Sequence, residues 1–314
     1  MECTIPQAVF TSLERGEISA IEAFRTLRNI DGLGIYDVRS KQENHQQIEK
    51  LLQELDHLIG LPEVKKLVRE IYAFIQIQKR REAENLTTEP LVLHMIFKGN
   101  PGTGKTTVAR ILGKVFCEMG VLMRGHLIEV ERADLVGEYI GHTAQKTREQ
   151  LTKAYGGILF IDEAYSLARG GEKDFGKEAI DVLVKTMEDH KDELILILAG
   201  YQREMENFLS TNPGLRSRFP IHIDFPDYNQ HELLKIAEQM CAKRQYRLTE
   251  EAQKALMNFL RSVQLRDIEN FGNARTVRNI IEKAIRHQAV RLITKSSITR
   301  QELMVIESSD ILEV

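Results

Sequence analysis

Gly99-Asn100-Pro101-Gly102-Thr103-Gly104-Lys105-Thr106 is a complete phosphate-binding loop of the pattern G-x-x-x-x-G-K-[ST]. Its glycines let backbone N–H groups turn inward around phosphate oxygens. Lys105 brings a positive charge, and Thr106 offers a hydroxyl to Mg²⁺. The apolar run 91–97 before the loop suits a buried strand, and Thr107 to Phe116 after it has helical spacing. Bound phosphates would therefore sit at a helix N-terminus, in the strand–loop–helix context the motif requires. The chain is expected to bind a nucleoside triphosphate.

A second apolar run, Ile158-Leu159-Phe160-Ile161, ends in Asp162-Glu163. Two carboxylates where a buried strand emerges suit phosphoryl chemistry: Asp162 to hold Mg²⁺ through its water shell, opposite Thr106, and Glu163 to orient or deprotonate the attacking water. An Asp-Glu pair can also simply cap the next helix. With a phosphate loop upstream, the catalytic reading is favoured.

The chain has 314 residues, 42% hydrophobic and 28% charged, long enough for about two domains with a sizeable core. Its net charge of −3 gives no global reason to expect nucleic acid or an anionic membrane as partner, although Lys146, Arg148 and Lys153 could make a channel locally basic. Cys3, Cys117 and Cys241 are too few and too scattered for a disulfide framework or a zinc site, so a reducing cytosol is the expected compartment. No apolar run approaches the ~18 residues needed to cross a bilayer, and no signal-peptide layout is visible, so membrane insertion is not expected.

Residues 1–47 read as a helical extension and linker. Ile18 to Ile30 has amphipathic helical spacing with Ser19 as a candidate N-cap, and Arg39 to Gln47 is polar. The extension could be a surface helix or an element for partner binding and self-assembly. From 48 to 226, strand candidates at 93–97, 127–130, 158–161, 194–199 and 221–225 alternate with helical stretches, predicting an α/β domain with a parallel five-stranded sheet covered by helices on both faces. Beyond Pro226-Asp227-Tyr228 the spacing of Glu232–Lys243, Glu250–Val263 and Ala274–Leu292 is helical throughout, predicting a smaller all-helical domain over 227–300, with 301–314 as a tail.

The loop, the Ile161-Asp162-Glu163-Ala164 strand end and the helical second domain resemble the AAA+ ATPases. Glu138 to Thr143, Gly157 to Tyr165, Gly170 to Gly176 and Ala199-Gly200-Tyr201 are similar to the CbxX/CfqX branch of that family. The resemblance covers about residues 50–300. It implies an Mg²⁺-dependent ATPase with ATP held by Gly99 to Thr107 under a lid. It further implies a ring, most often a hexamer, that remodels a protein client, with nucleic acid the less expected partner. Within the branch the similarity points to spore formation, with a red-type Rubisco activase activity as the alternative.

The same resemblance assigns further residues. Gly60, in Ile59-Gly60-Leu61, would pack against adenine, although a helix-connecting turn is equally compatible with the residues. Arg218 would be the arginine finger reaching a neighbour's γ-phosphate; Arg216 lies in the same segment and can be read as an unpartnered surface arginine. Arg275, after Ala274, would contact the nucleotide from the lid, with Arg278 one turn later as competitor. Tyr139-Ile140-Gly141 matches the family's pore loop, in which an aromatic side chain grips an extended peptide. Tyr201 stands where many relatives have Asn or Thr to polarise the lytic water, and its duty there is open between that role and packing at a strand end.

Overall fold

A computed structural model describes residues 10–13, 15, 19, 36–88, 92–139, 141–169, 175–190, 192–266 and 271–312. The amphipathic segment Ile18–Ile30, apart from Ser19, and most of the stretch Gly170–Gly176 lie outside them, as does Ile140. The chain divides into two units, Met1–Leu52 and Gln53–Val314. In the first, the stretch 39–47, expected as a linker, is helical instead, within α1 (Tyr36–Asp56). It contains no Gly or Pro and is rich in Gln, Glu and Lys, which are good helix formers; polarity alone does not make a linker.

In the second unit α2 (Pro62–Ala83) leads to the sheet. Its strands are β1 (Met95–Gly99), β2 (Leu127–Val130), β3 (Ile158–Ile161), β4 (Ile195–Gly200) and β5 (Ile221–Phe225), in the order β2-β3-β4-β1-β5. All four pairings are parallel, as crossover helices require. These helices are α3 (Lys105–Glu118), the short α4 (Arg132–Leu135), α5 (His142–Ala154), α6 (Gly176–Asp189), α7 (Gln202–Thr211) and α8 (Pro213–Arg218). Every residue of β3 and β4 is buried, which explains their continuous rather than alternating apolar runs.

The first strand begins at Met95 rather than at residue 93. Its register with β4 starts at Met95↔Ile197, and one step earlier the Leu196 N–H donates to the ring Nδ1 of buried His94 at 3.1 Å. A side chain thus replaces the carbonyl that would have extended the ladder. Phe97 is fully buried, its ring 4.9 Å from Phe225 and 6.3 Å from Phe160, so it ties the strand bearing the phosphate loop to β5 and β3.

The lid is helical: α9 (Gln230–Lys243), α10 (Glu250–Arg266) and α11 (Asn273–Ile293). A reciprocal capping box opens α9, with Asn229 Oδ1 accepting from Glu232 N at 2.9 Å and Glu232 Oε2 from Asn229 N at 2.8 Å. Residues 301–312 are not a free tail. They form most of α12 (Arg300–Met304), then β7 (Val305–Ile306) and α13 (Ser308–Leu312), and β7 pairs in parallel with the two-residue β6 (Arg247–Leu248). Gln288 on α11 donates to the carbonyls of Glu302, Leu303 and Val305, and Arg291 holds both oxygens of the buried Asp310 at 2.8 and 2.9 Å. Elements of two to five residues are too short for periodicity to reveal; two polar side chains of α11 fasten them.

Phe97→Ala should lower unfolding stability by about 3–5 kcal/mol, because it empties a site walled by two other rings. Urea unfolding measures this, and a loss below about 1 kcal/mol would contradict the packing described.

Candidate nucleotide site

The phosphate loop leaves β1 at its C-terminal end and closes onto the first turn of α3, with Gly104 at the N-cap in the left-handed region (φ 98°). Gly102 is also left-handed (φ 71°), and a Cβ there would lie 2.3 Å from Gly272 O and 2.7 Å from Arg275 N, so only glycine fits beneath the start of α11. Lys105 Nζ donates to the carbonyls of Gly99 and Asn100, both at 2.8 Å. Thr103 is fully buried and its hydroxyl also donates to Asn100 O, at 2.7 Å. Thr106 and Thr107 occupy the first turn of α3, Thr107 exposed and Thr106 with its Oγ1 3.5 Å from Glu129 Oε1.

Burial of its ammonium pushes the Lys105 pKa down from 10.5 to about 8; Asp162 opposes that shift, Arg275 adds to it and Asp227 opposes it. Three of the expected site residues therefore share one electrostatic neighbourhood: Lys105, Asp162 and Arg275. Arg278 is exposed and is not among the charges acting on Lys105.

Asp162 follows β3 directly, and its Oδ1 accepts from the Glu163 N–H at 3.0 Å. Glu163 is exposed and adopts the left-handed conformation (φ 46°, ψ 42°). Such a backbone costs a non-glycine residue about 1 kcal/mol or more and is a common mark of a functional position. Tyr201 follows β4 beside it. Its pKa is raised, by burial first and by the Glu163 carboxylate next, while Arg275 lowers it. Its ring also packs 6.1 Å from that of Tyr165.

The Ile59-Gly60-Leu61 turn reaches the loop as well. Gly60 and Leu61 are both left-handed (φ 67° and 57°), and a Cβ on Gly60 would meet Glu232 and Tyr228 at 2.7 and 3.3 Å. Two expected residues stand elsewhere. Arg218 ends α8 and is bound by Glu188 of its own chain, through Nε at 3.0 Å and a short Nη2 contact, and by Gly214 O at 2.8 Å. Arg216 is exposed. Tyr139 is 66% exposed, edge-on to His142 at 5.5 Å, and Gly141 after it is left-handed at the N-cap of α5.

Sequence reading missed Asp227, Tyr228 and Asn273. Asp227 Oδ1 and Oδ2 both accept from Asn100 Nδ2 at 3.1 Å, and Oδ1 accepts from Asn273 Nδ2 at 2.7 Å. Tyr228 Oη donates to Thr103 O at 3.0 Å. In the sequence the first two mark only a domain boundary, and Asn273 is hidden beside the more conspicuous Ala274-Arg275.

A phosphate loop opening a helix, carboxylates at the end of β3 two strands away in the same parallel sheet, and a helical lid held against the loop define a nucleoside triphosphatase of the P-loop class. Residues 95–227 match the ATPase family associated with various cellular activities (AAA), and 229–313 match the AAA lid domain. Stage V sporulation protein K of Bacillus subtilis (strain 168) is 56% identical over 275 residues, covering 87% of this chain and 85% of the relative. The chloroplastic ribulose bisphosphate carboxylase/oxygenase activase of Cyanidioschyzon merolae is 46% identical over 272 residues, covering 85% and 92%. The FIGL-1 AAA domain shares the fold, with a TM-score of 0.55 at 19% identity over 82% of this chain and 80% of that one. The chain belongs to the AAA ATPases, in their CbxX/CfqX branch, and hydrolyses ATP.

The Lys105 pKa carries a pH dependence. A bound triphosphate stabilises the ammonium and raises its pKa, so binding takes up a proton. Affinity is then highest below pH 8 and falls as pH rises through it, by about tenfold at pH ~9. Calorimetry in buffers of different ionisation enthalpy measures both effects; a flat affinity from about pH 7.5 to 9.5 would remove Lys105 as the charge partner.

Proposed function

We propose that the chain is an ATP-driven remodeler of a protein client, working as a homo-oligomeric ring, a hexamer, in spore formation. The observation that carries the remodeling reading is Tyr139: a large aromatic, 66% exposed two residues before the left-handed Gly141 in the segment that resembles the pore loop, offers an apolar face that can grip an extended peptide. The net charge of −3 supports a protein rather than a nucleic acid as the thing gripped. At 56% identity, the sporulation relative supports the biological setting. The 46% identical Rubisco activase supports a second reading, in which turnover rises on adding Rubisco and its sugar bisphosphate.

In this reading ATP lies in the loop from Gly99 to Thr107 with adenine against Gly60, and Lys105 holds phosphate charge. Thr106 and Asp162 hold Mg²⁺. They suit it: a hydroxyl and a carboxylate are hard oxygen donors, and Mg²⁺ needs only one or two protein oxygens beside phosphates and water. When bound, the ion neutralises charge developing on the phosphates. Glu163 takes the proton of the attacking water, and Tyr201 stands where it can orient that water. Arg275 reads the phosphates from the lid.

Arg218, bound by Glu188 and by Gly214 O within its own chain, is in this reading the finger that serves a neighbouring subunit's site. A ring then follows, and each subunit's hydrolysis moves Tyr139 through the lid and the adjoining helices.

Mixing two dead variants tests the shared site. Glu163→Gln and Arg218→Ala should each lower turnover about 100-fold or more while leaving ATP bound. Random co-assembly restores a complete interface wherever an Arg218→Ala subunit receives the finger of a Glu163→Gln subunit, about a quarter of interfaces. No recovery on mixing would place Arg218 outside a trans role. Crosslinking the Glu163→Gln protein in cells tests the client, and recovery of nucleic acid alone would overturn the remodeling reading.

A further inference from the structure

Each carbonyl of the phosphate loop from Gly99 to Gly104 has a donor. Gly99 O and Asn100 O accept from Lys105 Nζ at 2.8 Å, and Gly104 O accepts from Val108 N at 3.0 Å within α3. The three between them are held from outside the loop. Pro101 O accepts from Asn273 Nδ2 at 3.3 Å, Gly102 O from Ala274 N at 3.2 Å and Thr103 O from Tyr228 Oη at 3.0 Å. Asn273 and Ala274 open the lid helix α11, and Tyr228 lies in the connection between the two domains.

A trans peptide plane carries its C=O and N–H on opposite edges. The planes whose carbonyls are held by Asn273, Ala274 and Tyr228 are those that bear the N–H groups of Gly102, Thr103 and Gly104. Fixing each carbonyl outward fixes the following N–H inward, and inward N–H groups are what bind phosphate oxygens. The orientation of the loop's donors is therefore set by residues of the lid and hinge.

Asn273 is itself tightly held. It is fully buried and left-handed (φ 46°), and its Oδ1 accepts from Tyr228 N at 3.0 Å. Its two amide protons face three acceptors: Asp227 Oδ1 at 2.7 Å, Phe271 O at 3.0 Å and Pro101 O at the longest distance. Asp227 also takes the Asn100 side chain through both carboxylate oxygens, so one carboxylate bridges loop and lid.

We infer that Asp227, Tyr228 and Asn273 are positioning residues through which the lid and hinge set the affinity of the phosphate loop for ATP. The inference rests on that loop being the ATP site. Lid orientation and nucleotide affinity are then two readings of one hydrogen-bonded junction, and by linkage nucleotide binding favours the lid position that completes it.

The test is ATP affinity of the folded full-length protein, by titration with a fluorescent ATP analogue, alongside urea unfolding. Asn273→Ala should weaken binding about tenfold or more, and Tyr228→Phe, which removes one hydroxyl, about three- to fivefold. A merely structural role would lower the urea midpoint and leave affinity unchanged, since a protein that remains almost wholly folded binds as before. Unchanged affinity in both variants overturns the inference; if Asn273→Ala does not fold, Tyr228→Phe decides it alone. Lys105→Ala separates the two levels. If it leaves affinity intact, the loop is not the ATP site; if it abolishes binding while the other variants are silent, only the positioning role fails.

Discussion

Burial of β1 between β4 and β5 is the constraint on which the rest of the molecule depends. Met95, Ile96 and Phe97 have no accessible surface, and hydrogen-bonded ladders occupy both edges of the strand. The strand cannot slide or turn over without exposing that core, so the point at which the chain leaves it is fixed. Because the sheet is wholly parallel, β3 and β4 end on the same side, and their next residues, Asp162-Glu163 and Tyr201, arrive beside the loop that follows β1. The helix after β1 and the strand after it lie to one side while β5 lies to the other, and the cleft opens where the strand order reverses. Apolar packing of a few residues therefore brings together charged groups distant in sequence.

The lid completes the site in another way. Packing alone would leave α11 free to settle against the large domain at several angles. A partly buried junction of one carboxylate, two amides and a phenol fixes its first residues against the loop, and polar networks of this kind specify geometry more than they add stability. The hydrophobic part of the design is coarse and tolerant, and the polar part is narrow and exacting.

This division also explains what could be read in the sequence. Runs buried on both faces and helices with one apolar stripe write themselves into local periodicity, so the five strands and three lid helices were legible to within about three residues at each end. The phosphate loop and the Asp162-Glu163 strand end were legible because their chemistry is local. What escaped depends on contacts across the chain. The ladder beginning at Met95 is set by the His94 ring meeting a backbone N–H 102 residues away. Asp227 meets Asn100 and Asn273 across separations of 127 and 46 residues. The terminal elements after residue 300 are held by Gln288 and Arg291 rather than by any periodicity of their own. The helix through residues 39–47 was hidden for the opposite reason, since its polarity resembles that of a connector.

The left-handed backbone at Glu163 has a consequence for how such a site persists. A chain optimised for stability alone would place glycine there, as it does at Gly102, Gly104 and Gly141, and would relieve about 1 kcal/mol or more of strain. Random substitution combined with a thermal screen therefore drifts toward losing this carboxylate, and with Glu163 as the proposed base a library sorted only for robustness would fill with well-folded, inert proteins. In the proposed role as base, the side chain at this corner serves turnover against the preference of the backbone that carries it.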